Sequence, residues 1–239
     1  MNKNQILIVG GSSGLGLHLT NLYLKKKYKV TTISRNINTK IKKNVKQISC
    51  DVTDVEQMKK LLKNFKKEKI YFDIIIHNVG GSKKIYDFNV SSDSYKKVWD
   101  SNLGYVIEIN NFFIPHMKKN KWGRIVHVSS SAAYNYSAPV AYSSAKAALN
   151  TYVSSLSRRI IKDKIVVSCI CPGPIELPNR YMTMSQKKNN QFWRNYKKNH
   201  LPINRLAKPE EITAVVYFLT SKVASYCAGA IWNVDGSEH

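Results

Sequence analysis

The chain has 239 residues and a formal net charge of +23, from 38 Lys plus Arg against 15 Asp plus Glu. Hydrophobic residues make up 43 % of it, the level of an ordinary globular domain, which excludes a disordered chain and a fibrous repeat. Its apolar runs are far shorter than the about 20 residues that cross a bilayer, and its N-terminus lacks a signal-peptide pattern. We therefore expect a soluble, cytoplasmic protein without a membrane partner.

The positive charge raises the question of nucleic-acid binding, because clustered basic residues release counterions from phosphates. Lysine supplies 31 of the 38 basic residues, whereas arginine is the residue that grips phosphates and bases with paired hydrogen bonds. The lysines are scattered in small groups, with no basic tail. This distribution favours solvated helix faces and predicts no nucleic-acid partner. An attraction for an anionic substrate or an acidic partner protein stays open.

The cysteines give no sign of a metal centre. Cys50, Cys169, Cys171 and Cys227 form no C-x-x-C pair and have no histidine at ligand spacing. Cys169 and Cys171 lie in an apolar run, which is typical of buried structural thiols. We expect no bound metal.

Apolar runs that predict strands alternate with amphipathic segments that predict helices. The strands are expected at 6–9, 28–34, 45–50, 73–77, 124–129, 165–171 and 230–234. Helices are expected at 14–26, 54–67 with Asp54 as N-cap, 92–119 with an adjustment near Pro115, 141–162 and 209–220. Continuous apolar strands joined by helices predict an α/β fold: one doubly wound parallel sheet of about seven strands, with helices on both faces. The whole of 1–239 is expected to be a single domain.

A glycine-rich turn follows the first strand. Its spacing is G-x-x-x-G-x-G, with Gly10, Gly14 and Gly16 as the glycines. Glycines between a strand and a helix let backbone N–H groups approach a diphosphate at the helix N-terminus. A simple connecting turn explains the same glycines, but the position favours nucleotide binding.

Tyr142 and Lys146 are one helical turn apart and therefore share a helix face. A lysine ammonium stabilises a neighbouring phenolate, as general acid–base catalysis requires. The spacing alone has little specificity, because Tyr23 and Lys27 repeat it in the first helix, where Tyr23 is expected to pack in the core. The serines after the fifth strand distinguish the first pair, since ligands of open α/β sheets bind at that edge.

Together these motifs resemble the short-chain dehydrogenase/reductase family over residues 5–236 and imply its Rossmann-type fold. Val9, His77 and Val79 depart from the family pattern, and the loop from Ser130 to Tyr142 is one residue shorter than usual. The resemblance, closest to 3-oxoacyl-carrier-protein reductases, implies a catalytic set of Asn102, Ser130, Tyr142 and Lys146. It implies cofactor contacts from Gly10, Ser12, Ser13, Gly14, Leu15, Gly16, Arg35, Asp51, Val52, Asn78, Val79, Gly80, Tyr142, Lys146, Pro172, Gly173 and Ile175.

The implied reaction is hydride transfer between a nicotinamide and a carbonyl or secondary alcohol. Ser130 and Tyr142 are expected to bind the carbonyl oxygen, Tyr142 to donate the proton, and Lys146 to assist Tyr142 and hold the ribose. Asn102 is expected to anchor a water of the proton relay.

Arg35 follows the second strand, where an acidic residue would accept hydrogen bonds from a ribose. Because arginine attracts a 2′-phosphate, we expect NADP(H) in preference to NAD(H).

The segment 175–208 is expected to be a substrate lid, since loops of this length are usually functional. Its aromatic residues either pack on the body of the protein or line a pocket with a cationic rim. The second alternative suits an anionic substrate, either a 3-oxoacyl thioester on an acidic carrier protein or a nucleotide sugar. Lys121 lies where carrier docking is expected, whereas Arg158-Arg159 and Asp163 argue against it.

A different class of function stays open, a non-catalytic NADP-binding sensor or a nucleic-acid-associated relative. The complete catalytic set argues against it. The resemblance also implies a homotetramer or homodimer built through the two long helices.

Overall fold

The computed structural model describes residues 5–42, 44–135, 138–178 and 180–238. Within them, one sheet contains the strands β1 (Gln5–Val9), β2 (Lys29–Ser34), β3 (Lys46–Ser49), β4 (Ile74–His77), β5 (Gly123–Val128), β6 (Ile165–Pro172) and β7 (Ile231–Val234). All neighbours pair in parallel, in the order β3-β2-β1-β4-β5-β6-β7. The predicted doubly wound parallel sheet is thus confirmed.

The helices are α1 (Gly14–Lys25), α2 (Val55–Lys67), α3 (Ser92–Trp99), α4 (Tyr105–Asn120), α5 (Val140–Ile160), α6 (Tyr181–Lys188), α7 (Gln191–His200) and α8 (Pro209–Thr220). Asp54 caps α2 as predicted, because its Oδ1 accepts a hydrogen bond from the backbone N–H of Gln57 at 3.0 Å. Among the helices of these residues, none has both the length and the apolar character needed to cross a bilayer.

The predicted helix over 92–119 is found as one uninterrupted helical run from Ser92 to Asn120, but its irregular turn lies earlier than Pro115. A π-helical turn from Asp100 to Gly104 separates α3 from α4, with the N–H of Tyr105 donating to Asp100 O. Pro115 lies inside α4, which continues through it. Pro115 and Asn111 are both exposed, so the carbonyl that the proline leaves without a helical partner is accessible to solvent.

Each face of the sheet is covered by helices. One core, which includes Ile6, Ile8 and Ile76, packs against α1 and α8. The other contains β-strand side chains such as Val9 and Ile125, packed against α2, α4 and α5. This double coverage is why the strands have continuous apolar sequences. The sheet order reverses direction between β1 and β4, and the carboxyl ends of these two strands meet at the edge where such sheets bind ligands.

Candidate active site

The glycine turn leaves a bare backbone surface at this edge. A Cβ on Gly16 would lie 1.9 Å from Gly10 O, so α1 approaches the end of β1 as closely as only glycine allows. Gly14 has a φ of +53°, a conformation that other residues adopt at a cost. Asn78 fixes the turn, because its Nδ2 donates to Gly10 O at 3.1 Å. These contacts form a cradle without side chains, as a bound diphosphate requires.

Gly80 joins the cradle to the predicted catalytic residues. A Cβ at Gly80 would lie 2.6 Å from Asn102 Oδ1 and 2.9 Å from Lys146 Nζ. The preceding residue is fixed by the hydroxyl of Tyr105, which donates to Val79 O at 3.0 Å. Three sequence-predicted residues, Gly80, Asn102 and Lys146, therefore meet at one point.

Asn102 is fully buried within the π-helical turn. Its Oδ1 accepts from the N–H of Gly81 at 3.1 Å, and its Nδ2 donates to Gly81 O at 2.9 Å and to Val98 O at 2.7 Å. The amide thus holds the backbone that follows β4 and fixes the floor of the site. π-helical turns are frequent at functional sites.

Lys146 is only 2 % exposed, although it carries an ammonium group. Its Nζ donates to Val128 O at 2.9 Å and lies 5.7 Å from the ring centroid of Tyr142, one turn earlier on α5. Among the described residues it forms no ion pair with a carboxylate. A buried ammonium without a counter-ion attracts negative charge that develops nearby.

Ser130 lies at the carboxyl end of β5. Its Oγ accepts a hydrogen bond from the N–H of Ala132 at 3.2 Å, which leaves the hydroxyl proton free to be donated. The preceding Ser129 donates to Lys146 O at 3.4 Å and ties the strand end to α5. Ser130 and Tyr142 are both partly exposed and are not hydrogen-bonded to each other.

The other end of the cradle lies after β2 and β3. Arg35 is exposed, and its carbonyl accepts from Ser49 Oγ at 2.9 Å. Burial raises the pKa of Asp51, but hydrogen bonds from Thr53 and the charges of Lys83 and Arg35 outweigh burial and lower it. Lys83 was not predicted from sequence, because only the fold brings it to this carboxylate.

The turn between β1 and α1 is fixed here too. The N–H of Ser12 donates to Ser34 Oγ at 3.2 Å, and Asn38 Nδ2 donates to Ser12 O at 2.7 Å. Ser13 precedes α1 in an extended conformation, and Leu15 and Val52 are buried beneath the edge.

The segment 175–208, which the sequence predicts as a substrate lid, has a defined base. Gly173 N–H donates to Val234 O at 3.2 Å, and Ile175 pairs with Ala207 in an isolated parallel bridge. Pro172 ends β6. The segment between these anchors contains α6 and α7, so the predicted loop is largely helical.

The lid aromatics divide between the two predicted roles. Trp193 is 4 % exposed and packs with Leu201 and Leu206. The Tyr196 hydroxyl donates to the Glu238 carboxylate, whereas Tyr181 is exposed. Packing on the body therefore accounts for Trp193, whereas Tyr181 stays at the surface.

Sequence analysis missed a pair of buried histidines beneath the site. The rings of His77 and His127 lie on neighbouring strands and stack with centroids 4.7 Å apart. Burial lowers the pKa of His77 to about 4, against a smaller opposite effect of its hydrogen bond to Asn110. In the sequence, His77 is visible only as a departure from a motif. The described ranges contain no group of three or more His, Cys, Asp or Glu that could hold a metal.

Comparison with known families gives one model that matches residues 12–237, described as enoyl-(acyl carrier protein) reductase. A 3-oxoacyl-(acyl-carrier-protein) reductase FabG of Chlamydia trachomatis is 28 % identical over 247 residues, covering 99 % of this chain and 97 % of that one. The 3-oxoacyl-(acyl-carrier-protein) reductase MabA of Mycobacterium tuberculosis is 25 % identical, covering 98 % and 92 %. Among solved structures, a short-chain dehydrogenase family protein of Francisella tularensis is 27 % identical, with a TM-score of 0.83 and 98 % coverage of both chains.

Proposed function

Because the chain belongs to the short-chain dehydrogenase/reductase family, whose oxidoreductases act on CH–OH groups with NAD(P), we propose that it reduces a ketone with NADPH. The bare glycine cradle fits a dinucleotide, since side chains at Gly14 or Gly16 would be strained or would clash. Gly10 to Gly16 would hold the diphosphate, and Lys146 would hold the nicotinamide ribose. When bound there, the nicotinamide would be the source of hydride for the substrate carbon.

The chain's own residues then bind and protonate the substrate. The Ser130 hydroxyl donates a hydrogen bond to the carbonyl oxygen, while the Tyr142 hydroxyl donates its proton to the same oxygen. The Lys146 ammonium stabilises the negative charge that remains on Tyr142. Asn102 holds the backbone at Gly81, while Lys146 is held by its hydrogen bond to Val128 O.

One observation carries the proposal: the ammonium of Lys146 is buried beside the ring of Tyr142 without an acidic partner among the described residues. A burial of this kind costs free energy that a structural lysine would avoid by exposure. This free-energy cost is explained if the Lys146 ammonium stabilises a phenolate at Tyr142 and binds the ribose of the cofactor.

Replacing Tyr142 with phenylalanine tests the assignment. Turnover is expected to fall at least about a hundredfold, because the proton donor is lost, while NADPH affinity changes little. Loss of NADPH absorbance measures turnover, and fluorescence titration measures binding. Tyr23→Phe, the same change on a buried tyrosine bonded to Thr220, controls for structural damage. Unchanged turnover in Tyr142→Phe would remove the tyrosine from the mechanism.

The preference for NADP(H) is part of the proposal and is supported by Arg35 together with Lys83. Both cations lie close enough to Asp51 to lower its pKa, so positive charge gathers where an adenosine 2′-phosphate is expected. Arg35→Asp is expected to raise the Michaelis constant for NADPH more than tenfold and to leave that for NADH nearly unchanged. Lys40→Asp makes the same charge change on an exposed neighbouring residue and should change neither of the two Michaelis constants strongly. An equal effect of Arg35→Asp on both cofactors would contradict the preference.

For the substrate, the names of the relatives support a 3-oxoacyl thioester over a nucleotide sugar. Docking to a carrier protein through Lys121 has less support, because its ammonium forms an ion pair with Asp163. We therefore propose a thioester recognised through its acyl part. A panel of acetoacetyl thioesters, keto sugars and an enoyl thioester, each with NADPH, separates these classes. Reduction of keto sugars alone would exclude the thioester.

The proposed assembly is a homo-oligomer through α3 and α5. The surface between these helices has an apolar cavity of about 340 Å³, lined by Tyr95, Lys96, Trp99, Ala141, Ser144 and Ala145. Trp99 in this lining and Val140 at the start of α5 are both exposed, as expected for side chains that a second copy covers. Light scattering that reports a monomer would contradict the assembly.

A further inference from the structure

The lid begins against the glycine turn. A Cβ on Gly14 would lie 3.7 Å from Leu177 Cδ1 and 3.8 Å from Arg180 Nη2. The Arg180 guanidinium therefore lies over the turn, close to the backbone that is left bare for a ligand. Arg180 is the N-cap residue of α6, and the backbone before it is tied to this helix, because the N–H of Leu177 donates to Thr183 Oγ1 at 2.9 Å.

Arg180 differs from the two other arginines of the lid. Arg194 donates to Gln191 Oε1 at 2.8 Å, and Arg205 donates to both carboxylate oxygens of Glu211 at 2.7 and 2.8 Å. In the described part of the chain, the Arg180 side chain has no hydrogen-bond or ion-pair partner and is exposed. Its donors are therefore available to a ligand at the turn.

We propose that Arg180 binds the diphosphate of the dinucleotide from the lid side. The inference rests on the proposed function, since it places one more residue on that cofactor. A guanidinium matches phosphate oxygens with paired, charge-assisted hydrogen bonds, and the first turn of α1 has no acidic residue to compete for it. From the sequence, the cations of the lid were expected to bind an anionic substrate. The proposal instead assigns Arg180 to the cofactor diphosphate.

The diphosphate is common to NAD and NADP, whereas the 2′-phosphate is not. Arg180 is therefore expected to strengthen the binding of NAD and NADP equally, whereas Arg35 is expected to strengthen only that of NADP. Two cofactor fragments separate these roles: ADP-ribose contains the diphosphate without a 2′-phosphate, and 2′-AMP contains a 2′-phosphate without the diphosphate.

Titration calorimetry with ADP-ribose, 2′-AMP, NADH and NADPH tests the proposal on Arg180→Gln, Arg180→Lys and the matched lid variant Arg194→Gln. Arg180→Gln is expected to lower the affinity for ADP-ribose, NADH and NADPH by about tenfold each. Its affinity for 2′-AMP should stay within about twofold of the wild-type value. Arg180→Lys should retain part of the affinity, and Arg194→Gln all of it. Thermal melting of each variant verifies that the fold is intact.

Wild-type affinity of Arg180→Gln for ADP-ribose would overturn the inference. If the Michaelis constant for the ketone rose at the same time, Arg180 would belong to the substrate, and the proposed function would survive. A wild-type chain that bound neither ADP-ribose nor NADPH would overturn both proposals.

Discussion

At the scale of single residues, the absence of a side chain at Gly80 is as important as the proposed catalytic groups. A Cβ at this position would overlap Asn102 Oδ1 and Lys146 Nζ, and both are buried and cannot withdraw freely. Gly80→Ala is therefore expected to displace the ammonium and lower turnover by about tenfold or more, with a stability loss of about 1–3 kcal/mol. Steady-state kinetics and urea unfolding measure the two effects.

The neighbouring Gly81 provides the control. It has a φ of +145°, and a Cβ there would meet no atom within 4 Å. Gly81→Ala therefore introduces backbone strain without crowding the ammonium. If both alanine variants lost the same turnover, strain in the loop would explain the effect and displacement of Lys146 would not.

At the scale of elements, β4 and β5 place His77 and His127 in register under α4 and α5. Burial lowers the pKa of His77 to about 4 and that of His127 well below its ordinary value. The unfolded chain binds protons below pH of about 6.5, whereas the folded chain does not until the pH is much lower. The stability that these neutral histidines contribute is therefore fully present above a pH of about 6.5 and is lost as the pH falls towards 4.

Replacing one ring of the stack tests this pH dependence. Both nitrogens of His127 lack partners among the described residues, so His127→Phe removes two unsatisfied polar atoms at similar volume. The variant is expected to lose less stability than the wild type between about pH 7.5 and 5, as measured by urea unfolding. His200→Gln, on the exposed end of α7, should follow the wild type. If the wild type and both variants lost the same free energy of unfolding on acidification, the acid sensitivity would arise from other residues.

The elements differ in how far the sequence predicts them. The central strands β1, β4, β5 and β6 were predictable because burial on both faces requires continuous apolar runs, and α8 was predicted with its observed bounds. The π-helical turn at Asn102 was not predictable, because the apolar spacing of the segment continues through it. The juxtaposition of Tyr142 and Lys146 on one side of α5 was predictable from their spacing, whereas their catalytic role stays a proposal. The positions of Arg180 over Gly14 and of Lys83 near Asp51 depend on how distant segments cross, which no local pattern encodes.

At the scale of the whole molecule, the net charge of +23 either draws anionic substrates or only keeps the surface solvated. Comparing acetoacetyl-CoA with a neutral acetoacetyl thioester, both at saturating NADPH, distinguishes the two. If the field attracts the substrate, kcat/KM for the CoA ester should fall about fivefold or more between about 20 and 500 mM salt, because the screening length shortens from roughly 20 Å to a few Å. The value for the neutral thioester should stay nearly constant. Equal decreases for both would show that salt acts on the protein or on cofactor binding, and the lysines would then serve only to solvate the surface.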